Sequence, residues 1–367
     1  MAAVRGAARA RLAGLLVAAL AFAALSAAAL AQTARPGRVV VAALADALAP
    51  TTLDAFSAET GVRLVLDAFP TPEAVETAVA RGGYDVAVLS APALARAQAA
   101  GRLSPLDSAA IPALGGLDPA LTRLAPGGAP LGYSPFGLAY DPRRARERLG
   151  DRAPESWETA LRPDALKAFS DCGLALPDDP PAMLAAAALA LKLDPASRRP
   201  VDLRRALDRL AQARTLAKGV LTPTALVADL AAGELCLAPA TAADAALAAA
   251  RAGAAGEGAD IVFVIPREGA PVALDALAIL RDAANPREAA AFVDFALRPE
   301  QLARAAARAR FQPAVPAARA LVDPALARDA SLFPDAATAA RLFVPAPMDA
   351  ATSAQIARDW TRIRTGK

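Results

Sequence analysis

The side chains that could do chemistry in this sequence are mainly carboxylates. The chain contains no histidine, so the most frequent general base and the most frequent metal ligand are both absent. Three aspartates, Asp46, Asp244 and Asp275, stand beside apolar runs. Asp46 and Asp244 follow turn-like stretches and could each cap a helix. Asp275 lies in an apolar, strand-like run, where a charge without a role is costly.

Two cysteines, Cys172 and Cys236, are the other reactive side chains. In an oxidising compartment an even pair indicates a disulfide. Closing a loop of about 65 residues would stabilise the fold by about 4 kcal/mol. Two buried free thiols are the alternative, and the choice depends on whether the chain is exported.

The first 31 residues have the features of a secretory signal. Arg5, Arg9 and Arg11 precede an uncharged apolar run that ends in the small-residue site at positions 29–31, with cleavage expected before Gln32. A transmembrane anchor is the alternative, because the run is almost long enough to span a bilayer. The cleavage site favours export and therefore a disulfide.

The charge balance argues against a polyanionic partner such as nucleic acid. The whole chain has 40 Lys plus Arg and 37 Asp plus Glu, and the leader accounts for three of the arginines and none of the acids. The exported chain is therefore formally neutral and lacks the basic surface that nucleic-acid binding requires. Its length exceeds the usual size of a single core, which predicts two lobes.

The elements that must position these side chains follow an α/β pattern. Strand-like runs near residues 38–43, 62–66 and 86–89 alternate with helices, which predicts a parallel α/β lobe. Residues 154–269 are helical with strand candidates at 172–176 and 260–266, which favours a second α/β lobe. The Gly- and Pro-rich segment 124–142 is predicted to cross between the lobes. A strand at 271–280 and one helix over 285–309 follow.

Motifs for other functions are weak. The stretch "GYSPFG" approaches a nucleophile elbow, but its fifth residue is Phe136 and the chain has no histidine to assist Ser134. The glycines of "GAAGEG" have the wrong spacing for a dinucleotide site and precede a strand. Since no phosphate loop, zinc signature or metal-ligand spacing is present, we expect neither a metal nor a cofactor.

Several blocks together resemble the periplasmic spermidine/putrescine-binding proteins of ABC importers, and the putrescine-binding branch most closely. They follow the order of that family through nearly the whole mature chain. The blocks are "LAPTTLDAFSAETGVRLVLDAF", "GYDVAVLSAPALARAQAAGRLSPLD", "ESWETALRPDALKAFSDCGLALPDDP", "LAAGELCLAPA", "IVFVIPREGAPVALDALAIL", "AAFVDFALRPEQLAR" and "ARDWTRIRTGK".

The resemblance implies a type II periplasmic solute-binding fold, in which two α/β lobes close on a ligand in the cleft between them. We expect lobe 1 at about 32–136 and 272–317, and lobe 2 at about 137–271 and 318–367. The family's paired cysteines fall on Cys172 and Cys236. Such proteins are not enzymes; they deliver a solute to a membrane permease driven by an ATPase. A periplasmic monomer is expected.

The resemblance also implies ligand-binding residues, and the polar ones are largely retained. The first-strand motif Trp-Ser-Asp-Tyr is "LADA" here, which keeps Asp46. Trp-Ala-Gly-Asp is "TAAD", which keeps Asp244, and Phe-Phe-Asp is "ALD", which keeps Asp275. Ser90 matches the serine after the third strand, although it could instead only cap the next helix.

The aromatic walls of the family's site are mostly lost. Leu44, Ala47, Thr241 and Ala273 stand where the family has rings, and Phe311 replaces a tyrosine, although it could equally be a core residue. Each cation–aromatic contact in a desolvated site contributes about 0.5–2 kcal/mol. Four missing walls therefore predict a much weaker polyamine site unless other groups compensate.

The family's acid for the far end of the ligand falls near Pro181 and Ala182 and is missing. A small register shift would let Asp178 or Asp179 replace it. Among the remaining aromatic residues, Tyr133 and Trp157 are predicted to pack in the interior and Trp360 to anchor a terminal helix.

We predict a periplasmic solute receptor that binds a polyamine by charge-assisted hydrogen bonds from acids around an interlobe cleft. A smaller amine or an amino acid is the first alternative, because it suits alanine walls. A receptor that no longer transports and acts as a regulator or adaptor is the second. An enzyme that works with carboxylates alone is the last.

Overall fold

The computed structural model describes residues 37–44, 47–48, 50–255, 259–345 and 347–366. The predicted signal sequence and Asp46 lie outside these residues. No helix in the described ranges has the length and apolar character needed to cross a bilayer.

The first lobe begins with the predicted strand–helix alternation, which is confirmed. Its strands are short, β-branched and buried, and each is followed by a helix that returns over the sheet. The elements are β1 (Arg38–Leu44), α1 (Pro50–Thr60), β2 (Arg63–Phe69), α2 (Pro72–Arg81), β3 (Val86–Ser90) and α3 (Ala91–Ala99). Strand β1 pairs in parallel with both β2 and β3, so the carboxyl ends of all three strands lie at one edge of the sheet.

Two long strands cross between the lobes, as predicted for the Gly- and Pro-rich segment. They are β4 (Ala129–Tyr140) and β9 (Ala270–Ile279), and they pair antiparallel from Ala129↔Leu277 to Pro135↔Val272. At Phe136, β4 changes partner and pairs with β7 (Leu237–Thr241) and β8 (Val262–Val264). A single strand therefore connects the packing of both lobes.

The predicted strands at 172–176 and 260–266 are present as the shorter strands β5 (Ala175–Pro177) and β8. Three strands were not predicted: β6 (Gly219–Leu221), β10 (Gln312–Pro313) and β11 (Leu342–Phe343). Within the described residues, the main sheet contains nine strands in the order β10-β4-β9-β3-β1-β2, with β7 and β8 on β4 and β11 on β9. Strands β5 and β6 form a separate parallel pair.

Most helices begin with a proline in the first turn, where the missing N–H costs nothing. A short 3₁₀ helix covers Pro112–Gly116. The remaining helices are α4 (Pro119–Leu124), α5 (Pro142–Leu149), α6 (Trp157–Leu161), α7 (Pro163–Lys167), α8 (Pro180–Ala190), α9 (Pro200–Arg214), α10 (Pro223–Ala231), α11 (Ala242–Ala255), α12 (Pro286–Ala296), α13 (Pro299–Ala309), α14 (Pro316–Arg319), α15 (Pro324–Ala327), α16 (Ala336–Ala339) and α17 (Ala350–Thr365).

The prediction of one helix over 285–309 was wrong, because the segment forms two helices, α12 and α13. Arg298 between them is extended, with φ −61° and ψ 139°. Pro299 explains the break, since its ring disfavours a helical conformation at the preceding residue and it has no N–H to continue the ladder.

Three hydrophobic clusters form the interior. The first surrounds Phe56, Phe292 and Phe295 of the first lobe, whose rings meet edge to face. The other two lie against the second half of β4. The lobe boundaries given above stay a prediction; Val322 and Leu332 belong to the first cluster, which favours placing the last boundary beyond residue 332.

Both tryptophans pack as predicted. Trp157 is fully buried, stacks on Phe136 at 5.6 Å between ring centroids, and donates its indole N–H to the carbonyl of Gly269 at 2.9 Å. Trp360 is buried in α17 and donates its indole N–H to Oδ1 of Asp178 at 2.6 Å.

The predicted disulfide between Cys172 and Cys236 is confirmed, with the two Cα atoms 5.7 Å apart. It joins the loop after α7 to the residue before β7. Cys236 is fully buried, whereas Cys172 is half-buried.

Candidate ligand-binding site

Ser90 and Asp275 lie side by side in the centre of the sheet. Ser90 ends β3 and pairs directly with Asp275 of β9, and Asp275 pairs on its other side with Gly132 of β4. Because paired residues of an antiparallel ladder project from the same face, the hydroxyl and the carboxylate share one face of the sheet.

The hydroxyl of Ser90 is not used as a helix cap. Ser90 occupies the N-cap position of α3, yet its side chain makes no capping hydrogen bond. The interpretation of Ser90 as only a cap is therefore not supported. Its hydroxyl remains available to a ligand at the carboxyl edge of the sheet, where ligands bind in α/β folds.

Asp275 carries a half-buried carboxylate. Among the described residues, no hydrogen bond or ion pair reaches this carboxylate, and burial alone raises its pKa to about 6 from the ordinary 3.8. Desolvation disfavours the charged form of an acid when no donor compensates it. This position would regain a stable negative charge if a cation were placed beside it.

Asp244 takes part in capping a helix, and its role as a ligand-binding residue stays a prediction. It lies in the first turn of α11, where its amide donates to Oγ1 of Thr241 at 3.0 Å and its Oδ2 accepts from the amide of Thr241 at 3.4 Å. These two bonds form a capping box, and the hydroxyl of Thr241 also donates to the same Oδ2 at 2.7 Å. These contacts occupy only one carboxylate oxygen of Asp244, and burial raises the pKa of this acid while the bonds from Thr241 lower it.

The ring of Phe311 covers the backbone beside Asp275. A Cβ atom at Gly132, the residue paired with Asp275, would collide with this ring and with the carbonyl of Gln312, so the close approach requires glycine. Phe311 is half-buried and also packs against the first cluster. Ala273, two residues before Asp275 on the same face, is exposed and leaves the site without a ring there.

The two candidates for the missing acid differ in how many of their carboxylate oxygens already have partners. Asp178 accepts from Trp360 and Arg364, which uses both of its oxygens. Asp179 caps α8, where its Oδ1 accepts from the amide of Ala182 at 3.1 Å. Its other oxygen has no partner in the part of the chain that the structure describes.

Asp179 faces other acids. Burial raises its pKa to about 6, the amide of Ala182 opposes this shift, and the negative charges of Glu73, Asp244 and Asp178 add to it. Glu73 comes from the first turn of α2 in the first lobe and was not among the predicted site residues. Its position directly after β2, at the same edge as Ser90, was the signal that could have identified it.

The predicted site residues thus fall into two groups. Ser90, Asp275 and Phe311 lie together at the centre of the sheet, and Thr241 and Asp244 lie at the start of α11. Asp46 is outside the described residues. The ligand-binding roles of all of these residues stay predictions.

A family model described as bacterial extracellular solute-binding protein matches residues 51–334. The chain belongs to this family. Two relatives are similar over most of their length: the putrescine-binding periplasmic protein SpuD of Pseudomonas aeruginosa is 31% identical over 332 residues, and PotF of Escherichia coli, also putrescine-binding, is 32% identical over 333. Each comparison covers 88% of this chain and 90% of the relative.

Solved structures show that this solute-binding protein shares its fold with binding proteins from other bacteria. The spermidine/putrescine substrate-binding protein PotD of Streptococcus pneumoniae has a TM-score of 0.75 at 20% identity, over 90% of this chain and 99% of PotD. AgtB of A. tumefaciens, solved with agropinic acid, has a TM-score of 0.67 at 20% identity, over 90% and 100%. The predicted family and the two-lobed α/β fold are confirmed.

The ligand-free solute-binding protein is expected to become less stable as the pH rises from about 4 to about 7. Asp179 and Asp275 have a pKa of about 6 in the folded state and near 3.8 when unfolded. In this window the folded state binds more protons than the unfolded state, so acid favours folding. Asp335 and Asp349, whose pKa values are lowered by helix amides, act in the opposite direction at lower pH.

Thermal unfolding at pH 5.0 and 7.5 without ligand measures this effect, and the melting temperature should be higher at pH 5.0. The double variant Asp179→Asn, Asp275→Asn should lose most of the difference. A variant that keeps the full pH dependence would show that these two acids do not cause it.

Proposed function

We propose that this protein is the periplasmic solute-binding component of an ABC importer and that it binds a polyamine in the cleft between its lobes. The protein would act as a monomer and deliver its ligand to a membrane permease powered by an ATPase. The similarity to SpuD and PotF over nearly the whole chain supports this assignment, and the signal-like sequence at residues 1–31 supports export.

The observation that carries the proposal is the half-buried carboxylate of Asp275, which lies beside Ser90 and has no partner in the part of the chain that the structure describes. Burying an acid without a donor is costly. An ammonium group placed between Asp275 and Ser90 would remove this cost through a charge-assisted hydrogen bond. Asp46, which comes two residues after the end of β1 in the sequence, is proposed to assist.

A second acidic group suits a second ammonium. The capping contacts of Asp244 use only its Oδ2, so its other carboxylate oxygen is available to a ligand. The negative charge of Asp244 also raises the pKa of Asp179. The negative charge of Glu73, in the first lobe, also raises the pKa of Asp179, so a cation bound near both acids would relieve their repulsion. Two acidic groups at separate positions match a diamine better than a single amine.

A smaller amine or an amino acid is the second candidate, and the composition of the walls favours it. Ala273 is exposed where an aromatic wall would stand, and Thr241 directs its hydroxyl to Asp244 instead of covering a methylene chain. Phe311 is the one predicted aromatic residue beside Asp275. A shorter ligand would lose less from the missing walls than a polyamine would.

Isothermal titration of the exported chain with putrescine, spermidine, γ-aminobutyrate and glycine tests the proposal. We expect putrescine or spermidine to bind at least about tenfold more tightly than the amino acids, which corresponds to about 1.4 kcal/mol. Tighter binding of an amino acid would establish the second candidate. If none of the four produces heat or raises the melting temperature at millimolar concentration, the polyamine assignment fails.

A further inference from the structure

One hydrogen bond attaches the helix that carries Asp244 to the strand that crosses between the lobes. The amide of Ala243, in the first turn of α11, donates to Oγ of Ser134 in β4 at 3.0 Å. Ser134 is 5% exposed. The first amides of a helix have no partner within the helix, so a hydroxyl from another strand can fix its position.

Ser134 lies between the two acidic groups of the proposed site. In β4 it pairs with Ala273, and two residues earlier Gly132 pairs with Asp275. Two residues later Phe136 pairs with Thr241, the residue immediately before α11. Alternate residues of a strand share a face, so Ser134 projects from the same face of the sheet as Asp275.

The capping box makes the position of Asp244 depend on this attachment. Asp244 is held to Thr241 through both its amide and its Oδ2, so its carboxylate moves with the first turn of α11. The bond from Ala243 to Ser134 fixes that turn against β4. Strand β4 is paired in turn with β9, which carries Asp275.

We infer that Ser134 is a positioning residue for the solute: it holds the first turn of α11 against the crossing strand and so sets the distance between Asp244 and Asp275. The inference rests on the proposed function, since it assigns Ser134 to that same site. A ligand with two cationic ends requires a fixed separation of its acids, and a small displacement of one acid lowers affinity strongly.

Removing the hydroxyl is expected to act through Asp244. We expect Ser134→Ala to weaken putrescine binding about tenfold and Ser134→Thr, which keeps the hydroxyl, to bind within about threefold of wild type. Ser156→Ala is the matched control, because Ser156 is also a buried serine and its hydroxyl caps α6 instead of α11. The control should change affinity by less than about twofold.

A double-mutant cycle separates positioning from a general loss of structure. In an Asp244→Asn background, Ser134→Ala should cost less than about twofold, because the group that Ser134 positions is already gone. In an Asp275→Asn background its cost should also fall, because only one of the two acids whose separation Ser134 sets then remains. If Ser134→Ala has its full effect without the Asp244 carboxylate, or none with it, the inference is overturned.

A ligand-free measurement distinguishes failure of this inference from failure of the proposed function. The pKa of Asp244, followed by carboxyl NMR, should move toward the ordinary value in Ser134→Ala as water reaches the loosened turn, and should return in Ser134→Thr. A shift in a protein that does not bind putrescine would sustain the positioning role and reject the polyamine. Unchanged titration of Asp244 in Ser134→Ala would reject the positioning role alone.

Discussion

Replacing Asp275 by asparagine is expected to weaken putrescine binding about 100-fold and, at the same time, to stabilise the ligand-free protein at pH 7.5. The loss of affinity follows from removal of the charged partner of an ammonium group, an interaction of about 3 kcal/mol when it is shielded from water. The gain in stability follows because asparagine has the same shape but carries no charge to bury. Opposite changes in binding and stability are the signature of a ligand-binding acid.

Calorimetric titration and thermal unfolding of the same preparation measure both effects. Asp208→Asn, at an exposed position in α9, is the matched control and should change neither. The affinity of wild type should also decrease from pH 7.5 to 5.0, because the carboxylate of Asp275 takes up a proton with a pKa of about 6. This dependence should be shallower in Asp275→Asn.

If Asp275→Asn bound putrescine as tightly as wild type, the acid would not face the ligand and the site would have to be placed elsewhere. A destabilised variant would contradict the proposal in a different way. Reduced stability would show that the carboxylate of Asp275 makes a stabilising contact in the folded protein, although the described residues provide no partner for it.

Replacing both cysteines by serine is expected to lower the free energy of unfolding by about 4 kcal/mol while leaving ligand binding nearly unchanged. The two residues are 64 positions apart, and a crosslink over a loop of this length restricts the unfolded chain by that amount. Cys236 of the disulfide immediately precedes β7, and Thr241 ends that strand five residues later, about 16 Å away at about 3.3 Å per residue.

Urea unfolding of the Cys172→Ser, Cys236→Ser variant measures the loss, and a titration with putrescine measures binding. We expect the affinity to stay within about threefold of wild type, since the site acids do not contact the disulfide. A loss of stability below about 1 kcal/mol would show that the loop is already ordered without the crosslink. A large loss of affinity would show that the second lobe depends on the disulfide to form the site.

Local patterns in the sequence were sufficient for the fold of the first lobe and for the crossing segment. Short β-branched runs between helix start and stop signals predicted β1 to β3 because burial on both faces of a parallel strand selects such residues. The same kind of pattern gave a wrong prediction at Arg298, because the helical spacing of apolar residues continues through Pro299. Proline disfavours a helical conformation at the residue before it, so the helix is interrupted there. The joint resemblance of many blocks then identified the family.

The site was predictable only in part. The absence of histidine limited its chemistry to carboxylates, and Asp244 and Asp275 could be singled out from their apolar surroundings. Whether Asp244 was a cap or a ligand could not be decided, because both roles place an acid in the first turn of a helix. The structure shows that the cap uses one oxygen and leaves the other.

By itself the sequence determined the composition of the site, the pair of cysteines and the order of strands and helices, because these depend on residue type and on neighbours along the chain. Only the tertiary structure decided that Asp178 accepts a hydrogen bond from Trp360 and that Ser134 accepts one from the first turn of α11. It also decided that the charges of Glu73 and Asp244 act on Asp179. These relations join residues more than 60 positions apart. They are set by strand register and helix docking, which local spacing does not encode.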